Sequence, residues 1–235
     1  MIVYYSWLNQ EHSCLPVSLL SEFKAPNSKI GVSKEWLHSG VGMMRCPAFV
    51  QSISNTFVLR SPINYSFSWD KNTGEFSSDM YSQREFDDFL LLRDAPNGVL
   101  SFNRPAYIFC AEKPLLMEVC HATYHNADLQ KHSMYLGGTF DIGNHFRNTE
   151  AALALQDSCT INIKEHDPVC YVRFQTTEPV KLVPFFYSDT LSAIKDQMFA
   201  AKAYCKPKPI SFWYDLYNKV YRKRILKEIK NNLLG

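Results

Sequence analysis

Along residues 63–70 the chain alternates strictly: Ile63, Tyr65, Phe67 and Trp69 are large and apolar, while Asn64, Ser66, Ser68 and Asp70 are polar. Successive side chains of an extended strand point to opposite faces, so a period of two predicts a half-buried β-strand. Turn chemistry follows in Lys71-Asn72-Thr73-Gly74, because Asn and Gly tolerate the positive φ angles that tight turns require. A second strand is predicted over 56–60, parted from the first by Ser61-Pro62.

Further along, residues 99–102, 107–110 and 115–120 read as three short strands, interrupted at Pro105 and Pro114, since proline denies the ladder a donor. Residues 159–164 and 169–174, joined by Glu165-His166-Asp167-Pro168, read as a hairpin, and 180–186 adds one more strand. Near 81–90 the period changes. Phe86, Phe89 and Leu90 fit a helical face, with Glu85, Asp87 and Asp88 in water. Short strands joined by turns predict a mainly β fold, an antiparallel β-sandwich of jelly-roll or cupin-like type over residues 1–187, with an irregular amino-terminal lead.

Residues 188–235 predict a helical carboxyl-terminal extension. Ser188-Asp189-Thr190 can cap a helix carrying Leu191, Ile194, Met198 and Ala201 on one face, and Lys206-Pro207-Lys208-Pro209 forces a break. A second helix is expected from about Ser211. Its first half stripes Trp213, Leu216, Tyr217 and Val220, whereas Ile225, Leu226, Ile229 and Leu233 fall nearly opposite at 100° per residue. Either the helix bends near Tyr221–Arg224, or its halves bury their faces against different surfaces.

Charge sharpens that picture. The chain has a formal net charge of only +2, yet from Lys219 onward six basic residues meet the single acid Glu228, so the rest is net acidic. A basic amphipathic end suits a protein partner, a second copy, nucleic acid or a membrane surface. The plainer alternative is a terminal helix packed on its own domain with lysines in solvent. Trp213, Leu216 and Tyr217, with Arg222, Lys223, Arg224 and Lys227, are the candidate contacts for a protein partner or homo-oligomer, and nucleic acid is the other option.

A 14% share of aromatic residues supports a substantial core and argues against disorder. No run approaches the about 20 apolar residues that span a bilayer, and the start lacks signal-peptide character, which together predict an intracellular product. Seven cysteines without CxxC spacing suggest neither a disulfide framework nor a zinc ribbon. Glycine-rich phosphate loops of the GxGxxG and GxxxxGK[ST] kinds are absent from the sequence, which excludes nucleotide binding by those routes.

Candidate chemistry concentrates in residues 120–132, CHATYHNADLQKH, which hold three of the seven histidines. On a helix His121, His125 and His132 would lie within about 40° of one another. The apolar run into Cys120 favours a strand instead, where His121 and His125 would stand about 13 Å apart, too far for one ion at about 2 Å per bond. A metal could still be assembled from His121, His125, His132, Asp141 and His145 on neighbouring strands, as in cupin-like oxygenases that hold Fe, or with Zn. The HxD or HxE pair of such sites is missing, and no cofactor is the primary expectation. Nor does a nucleophile signature surround any cysteine.

Three stretches taken together resemble a known family. Cys46-Pro47-Ala48-Phe49 followed by SISNTFVLRSPINYSF, then Phe140–Arg147 (FDIGNHFR), then His166–Phe174 (HDPVCYVRF), are similar to a family of uncharacterised proteins of tailed phages, especially marine ones, over about residues 36–186. The resemblance implies a phage-type origin and a place in the host cytoplasm or the virion. That family has no assigned activity, so no functional residue is carried over. The expected function is a non-enzymatic binding or assembly protein, virion-associated or accessory. A cupin-like metal-dependent oxygenase and a nucleic-acid binder using the basic helix are the alternatives.

Overall fold

The alternation at 63–70 becomes a strand over Tyr65–Asp70 in the computed structural model, which describes residues 1–7, 15–24, 43–125, 127–204 and 208–234. Tyr65, Phe67 and Trp69 are buried, and Ser66 and Ser68 on the other face hydrogen-bond across to Asn162 and Thr160, each at 2.8 Å. In chain order the described strands are β1 (Ile2–Trp7), β2 (Val17–Ser18), β3 (Thr56–Arg60), β4 (Tyr65–Asp70), β5 (Glu75–Ser77), β6 (Leu90–Asp94), β7 (Val99–Ala111), β8 (Leu116–His121), β9 (Ser133–Tyr135), β10 (Gly138–Asp141), β11 (Asn148–Leu155), β12 (Cys159–Ile163), β13 (Pro168–Phe174) and β14 (Lys181–Pro184). The helices that matter below are α1 (Leu19–Lys24), α2 (Pro47–Ile53), α3 (Gln83–Phe89), α4 (Ala127–His132), α5 (Asp189–Tyr204), α6 (Ile210–Leu216) and α7 (Arg222–Asn231).

The fold is mainly β, with several antiparallel sheets and carboxyl-terminal helices. A first sheet has the order β14-β1-β7-β11-β9, with β6 beside the first half of β7; a second runs β10-β8-β13-β3-β2; a third, small one is β12-β4-β5. The first two face each other across one core, where Phe109 of β7 meets Phe174 of β13 at 5.8 Å between ring centroids. The third sheet closes one end by packing Tyr65 and Phe67 on Phe102. Helix α3 seals that end, held by a capping box between Ser82 and Glu85, with Phe86 buried as its spacing predicts. The strand orders do not carry the narrower jelly-roll expectation.

Several expectations are corrected. Strands β12 and β13 are not a hairpin: β12 pairs with β4 and β13 with β3 and β8, in different sheets. The chain turns a corner twice at one place, once at Ser61-Pro62 and once at 164–167. The two corners are tied by the Ser61 N–H to Asp167 O and the His166 N–H to Ser61 O, both 2.8 Å. His166 takes a φ of 70° to make that bend. Strand β7 is continuous through Pro105, because β6 pairs only up to Phe102 and β1 only from Tyr107, so the proline lies at the junction of two neighbours on that edge.

The amino-terminal lead is also not irregular at its start. Residues 2–7 form β1, flanked by antiparallel β7 and by parallel β14, an exception to an all-antiparallel sandwich. Val3, Tyr4 and Tyr5 are all buried, so β1 shows no alternation. Its second face is covered by helices. Tyr4, Ile108 and Cys110, on the outer face of the first sheet, pack with Phe185, Leu191, Ile194, Tyr217, Ile225 and Ile229. On the other side α1 and α2 cover the second sheet, where Leu19, Phe23 and Ile53 pack on Val58 and Tyr171. The carboxyl-terminal helices are therefore a layer of the fold. They return to β14 through the Phe186 N–H to Asn232 O at 2.8 Å and the Leu234 N–H to Pro184 O at 3.0 Å.

Candidate functional site: a cleft under the carboxyl-terminal helices

Helix α5 begins as its sequence predicts. The Ser188 hydroxyl accepts the Leu191 N–H at 3.4 Å, and Leu191 and Ile194 are buried against the sheet. The expected break falls on residues 205–207, outside the described residues, and the next helix starts at Ile210. The change of stripe near Tyr221 has a specific cause: residues 217–221 form a π turn between α6 and α7. Two α-helical turns consume about 7.2 residues, and a π turn takes in about one more. Ile225, eight residues after Tyr217, therefore returns to the same face, and both are buried in one cluster. The buried residues of the two halves, Tyr217 before and Ile225 and Ile229 after, therefore serve one surface.

Where these helices meet the edge of the covered sheet, a cleft of about 380 Å³ opens. Arg93 reaches it from β6, and Glu150 from β11. Residues 145–148, just ahead of and entering β11, form its floor, while Lys195 and Met198 of α5 and Trp213, Leu216, Tyr217 and Tyr221 wall it from above. Three cations, Arg93, Arg147 and Lys195, face a single described carboxylate, Glu150. Arg93 pairs directly with Glu150, and Arg147 lies 3.9 Å from its other oxygen. Arg93 Nε also donates to Ser101 Oγ at 3.2 Å, and Arg147 Nε to Asn148 O at 3.3 Å. Lys195 sits 5.7 Å over the Tyr187 ring. His145 lies edge-on to Tyr214 at 5.2 Å.

The sequence-predicted residues divide. Trp213, Leu216 and Tyr217 line the cleft, with Tyr217 buried against the molecule's own sheet and Trp213 and Leu216 half-buried. Arg222 is half-buried and donates to Glu112 O. The Glu112 carboxylate accepts from Lys230 at 2.9 Å and Tyr4 at 2.8 Å, and these partners hold its pKa below the ordinary carboxylate value. Lys223, Arg224 and Lys227 are exposed on the far side of α7.

The metal candidates are not gathered. Strand β8 ends at His121, and the backbone then turns, with the His125 N–H bonded to Ala122 O at 2.8 Å, so the pair is not carried on one extended strand. His121 is paired with Cys170 and sits edge-on to Tyr135 at 5.7 Å, on the core side. His125 lies on the other side of the sheet. Its Nε2 is 2.9 Å from Glu22 Oε2, and its Nδ1 is 2.6 Å from the Tyr171 hydroxyl, which accepts the Tyr124 N–H at 3.1 Å. Both ring nitrogens are thus engaged, whereas a metal needs a lone pair on one of them. His132 ends α4, and its carbonyl accepts the Gln156 N–H. Asp141 organises a turn, accepting from the N–H groups of Leu115 and Gly143 and from Asn144 Nδ2 at 2.6 Å. Among the described residues no three or more His, Cys, Asp or Glu side chains gather into a potential metal cage.

Three of the described thiols are held neutral by their surroundings. Burial pushes Cys110 and Cys170 up to about 12 and Cys120 to about 11, which leaves them protonated near neutrality. The cleft residues that sequence reasoning missed are Arg93, Phe146, Arg147, Asn148, Glu150, Lys195, Met198 and Tyr221. They converge from four separate segments, so no local spacing announces them; the change of stripe at Tyr221 was the one available signal. Among the described residues no helix is long and apolar enough to cross a membrane. Comparisons of the chain with protein-family models, with curated proteins and with solved structures find no match.

Proposed function

We propose that this protein is a non-enzymatic binding protein, and that the cleft between its carboxyl-terminal helices and the first sheet is its binding site. The observation that carries this reading is the cleft itself: about 380 Å³, lined by Phe146, Trp213, Tyr217 and Tyr221, with cations in excess among its lining residues. Small-molecule sites occupy about 300–1,000 Å³, apolar walls with a few convergent polar groups being their usual makeup. The setting we propose, on the sequence resemblance, is a phage-encoded accessory or virion-associated factor in the host cytoplasm or the particle. Indole NMR of the full chain tests the site. Small aromatic fragments should shift the Trp213 indole resonance saturably and leave that of Trp69 in place, since Trp69 is buried and bonded to Ala95 O at 3.1 Å. Equal or absent shifts at both would contradict the assignment.

A second reading is supported by the solvent side of α7 and the turn before it. Lys219, Lys223, Arg224 and Lys227 share an exposed face opposite buried Ile225 and Ile229, which suits a polyanion such as nucleic acid. Under it, duplex DNA binding should weaken steeply with salt and vanish in Lys223→Glu/Arg224→Glu/Lys227→Glu. Salt-independent binding, or binding that survives the triple change, would rule it out.

A further inference from the structure

We propose that the cleft selects an anion borne on a flat apolar or aromatic body, with the charge at the Arg93–Arg147 end and the body against Trp213 and Tyr221. This rests on the cleft being the binding site and adds the chemical class of its ligand. Two guanidinium groups lean on one carboxylate: Glu150 pairs directly with Arg93, while Arg147 stands 3.9 Å away. One carboxylate offsets one positive charge, so the described lining retains two, from the two arginines and Lys195.

Donors are also left over. A guanidinium carries five N–H groups in a fixed fork. Arg147 commits its Nε to Asn148 O, and Arg93 commits its Nε to Ser101 Oγ and one Nη to Glu150, which leaves Arg93 Nη1 and the Nη groups of Arg147 for a carboxylate or phosphate-type head. Guanidinium is weakly hydrated, so it suits such a half-buried ion pair better than an ammonium does. The lining also supplies rings. Tyr217 and Tyr221 come from the two ends of the π turn, a rare local structure that recurs at functional sites. The covering helices and the sheet below leave space for one small molecule, not for a strand of nucleic acid.

Isothermal titration of the full chain with 2-naphthoate and with its neutral counterpart 2-naphthylmethanol tests this. The anion should bind at least about tenfold tighter than the alcohol. Arg147→Gln should remove most of that preference, read as the ratio of the two probes' affinities. Lys195→Gln, at a residue with no ion pair among the described residues, should lower the preference by a smaller factor and guards against an Arg147 variant that fails to fold. Equal affinity for the two probes, or a preference untouched by both substitutions, would overturn the ligand class while leaving the cleft as a site. Failure of both probes to bind would overturn the site reading and this inference together.

Discussion

Single residues in this protein are placed by the needs of their neighbours, and two of them make sharp predictions. Gly98 follows the turn between β6 and β7 with a φ of 67°, and a Cβ there would stand 2.8 Å from the Trp69 ring. Gly98→Ala should therefore lose about 1–3 kcal/mol, read as a lower urea midpoint; an unchanged midpoint would refute the close approach. Glu22 ties α1 to the second sheet through His125 and Arg60. Burial alone would raise its pKa, but the bonds from His125 and Arg60 outweigh burial and hold it below 4.5. A carboxyl with a depressed folded pKa stabilises the fold above its unfolded value and loses that contribution as pH falls through the folded one. Glu22→Gln should accordingly cost most near pH 7, about 1–3 kcal/mol, with the gap to the native chain closing well below pH 4.5. A pH-independent gap would contradict the ionised pairing. At this scale the sequence was partly legible: it flagged His121 and His125 as a pair, but His125 answers to Glu22 and Tyr171, residues about a hundred positions or almost fifty away, which no local spacing shows.

Element by element, what could be read from the sequence depended on whether the signal was periodic. Alternation located β4 and the change to a helical period located α3, because burial of one face leaves a local trace. Partner choice leaves none. Residues 159–163 and 168–174 look like hairpin arms by length and turn chemistry, yet the corner at 164–167 sends them into two sheets. The π turn lies between these cases, since the stripe shift was visible and its resolution was not. A π turn holds one residue beyond the α-helical count, so deleting exposed Val220 should restore a plain helix with Tyr217 and Ile225 still on one face. That deletion should cost less than about 1 kcal/mol. Inserting an alanine after Val220 would instead rotate Ile225 and Ile229 by about 100° out of the core and should cost about 2–5 kcal/mol. Equal costs in urea unfolding would contradict the rephasing.

Taken as a whole the molecule is layered: helices, sheet, core, sheet, helices, with a third small sheet closing one end. The mainly β character was legible because β3, β4, β7, β8, β12, β13 and β14 each carry an apolar run or turn chemistry of their own. The boundary drawn at residue 188 was less so, because a basic, amphipathic tail reads alike whether it docks on its own sheet or on a partner. The long unalternating burial of β1 is the compensating clue, since a strand with both faces buried must be covered by something, and here Phe185, Tyr217, Ile225 and Ile229 cover it. The cleft exists only because that cover is seated. Cys110 reports on it directly: it lies on the outer face of the first sheet, wholly buried beneath Tyr217, Ile225 and Ile229, whereas Cys46 is exposed. Pulse alkylation of the native full chain, resolved by peptide mass spectrometry, should label Cys46 within the pulse and leave Cys110 as protected as core Cys170. Labelling of Cys110 at the rate of Cys46 would show the outer face of the sheet open to solvent and would contradict the account.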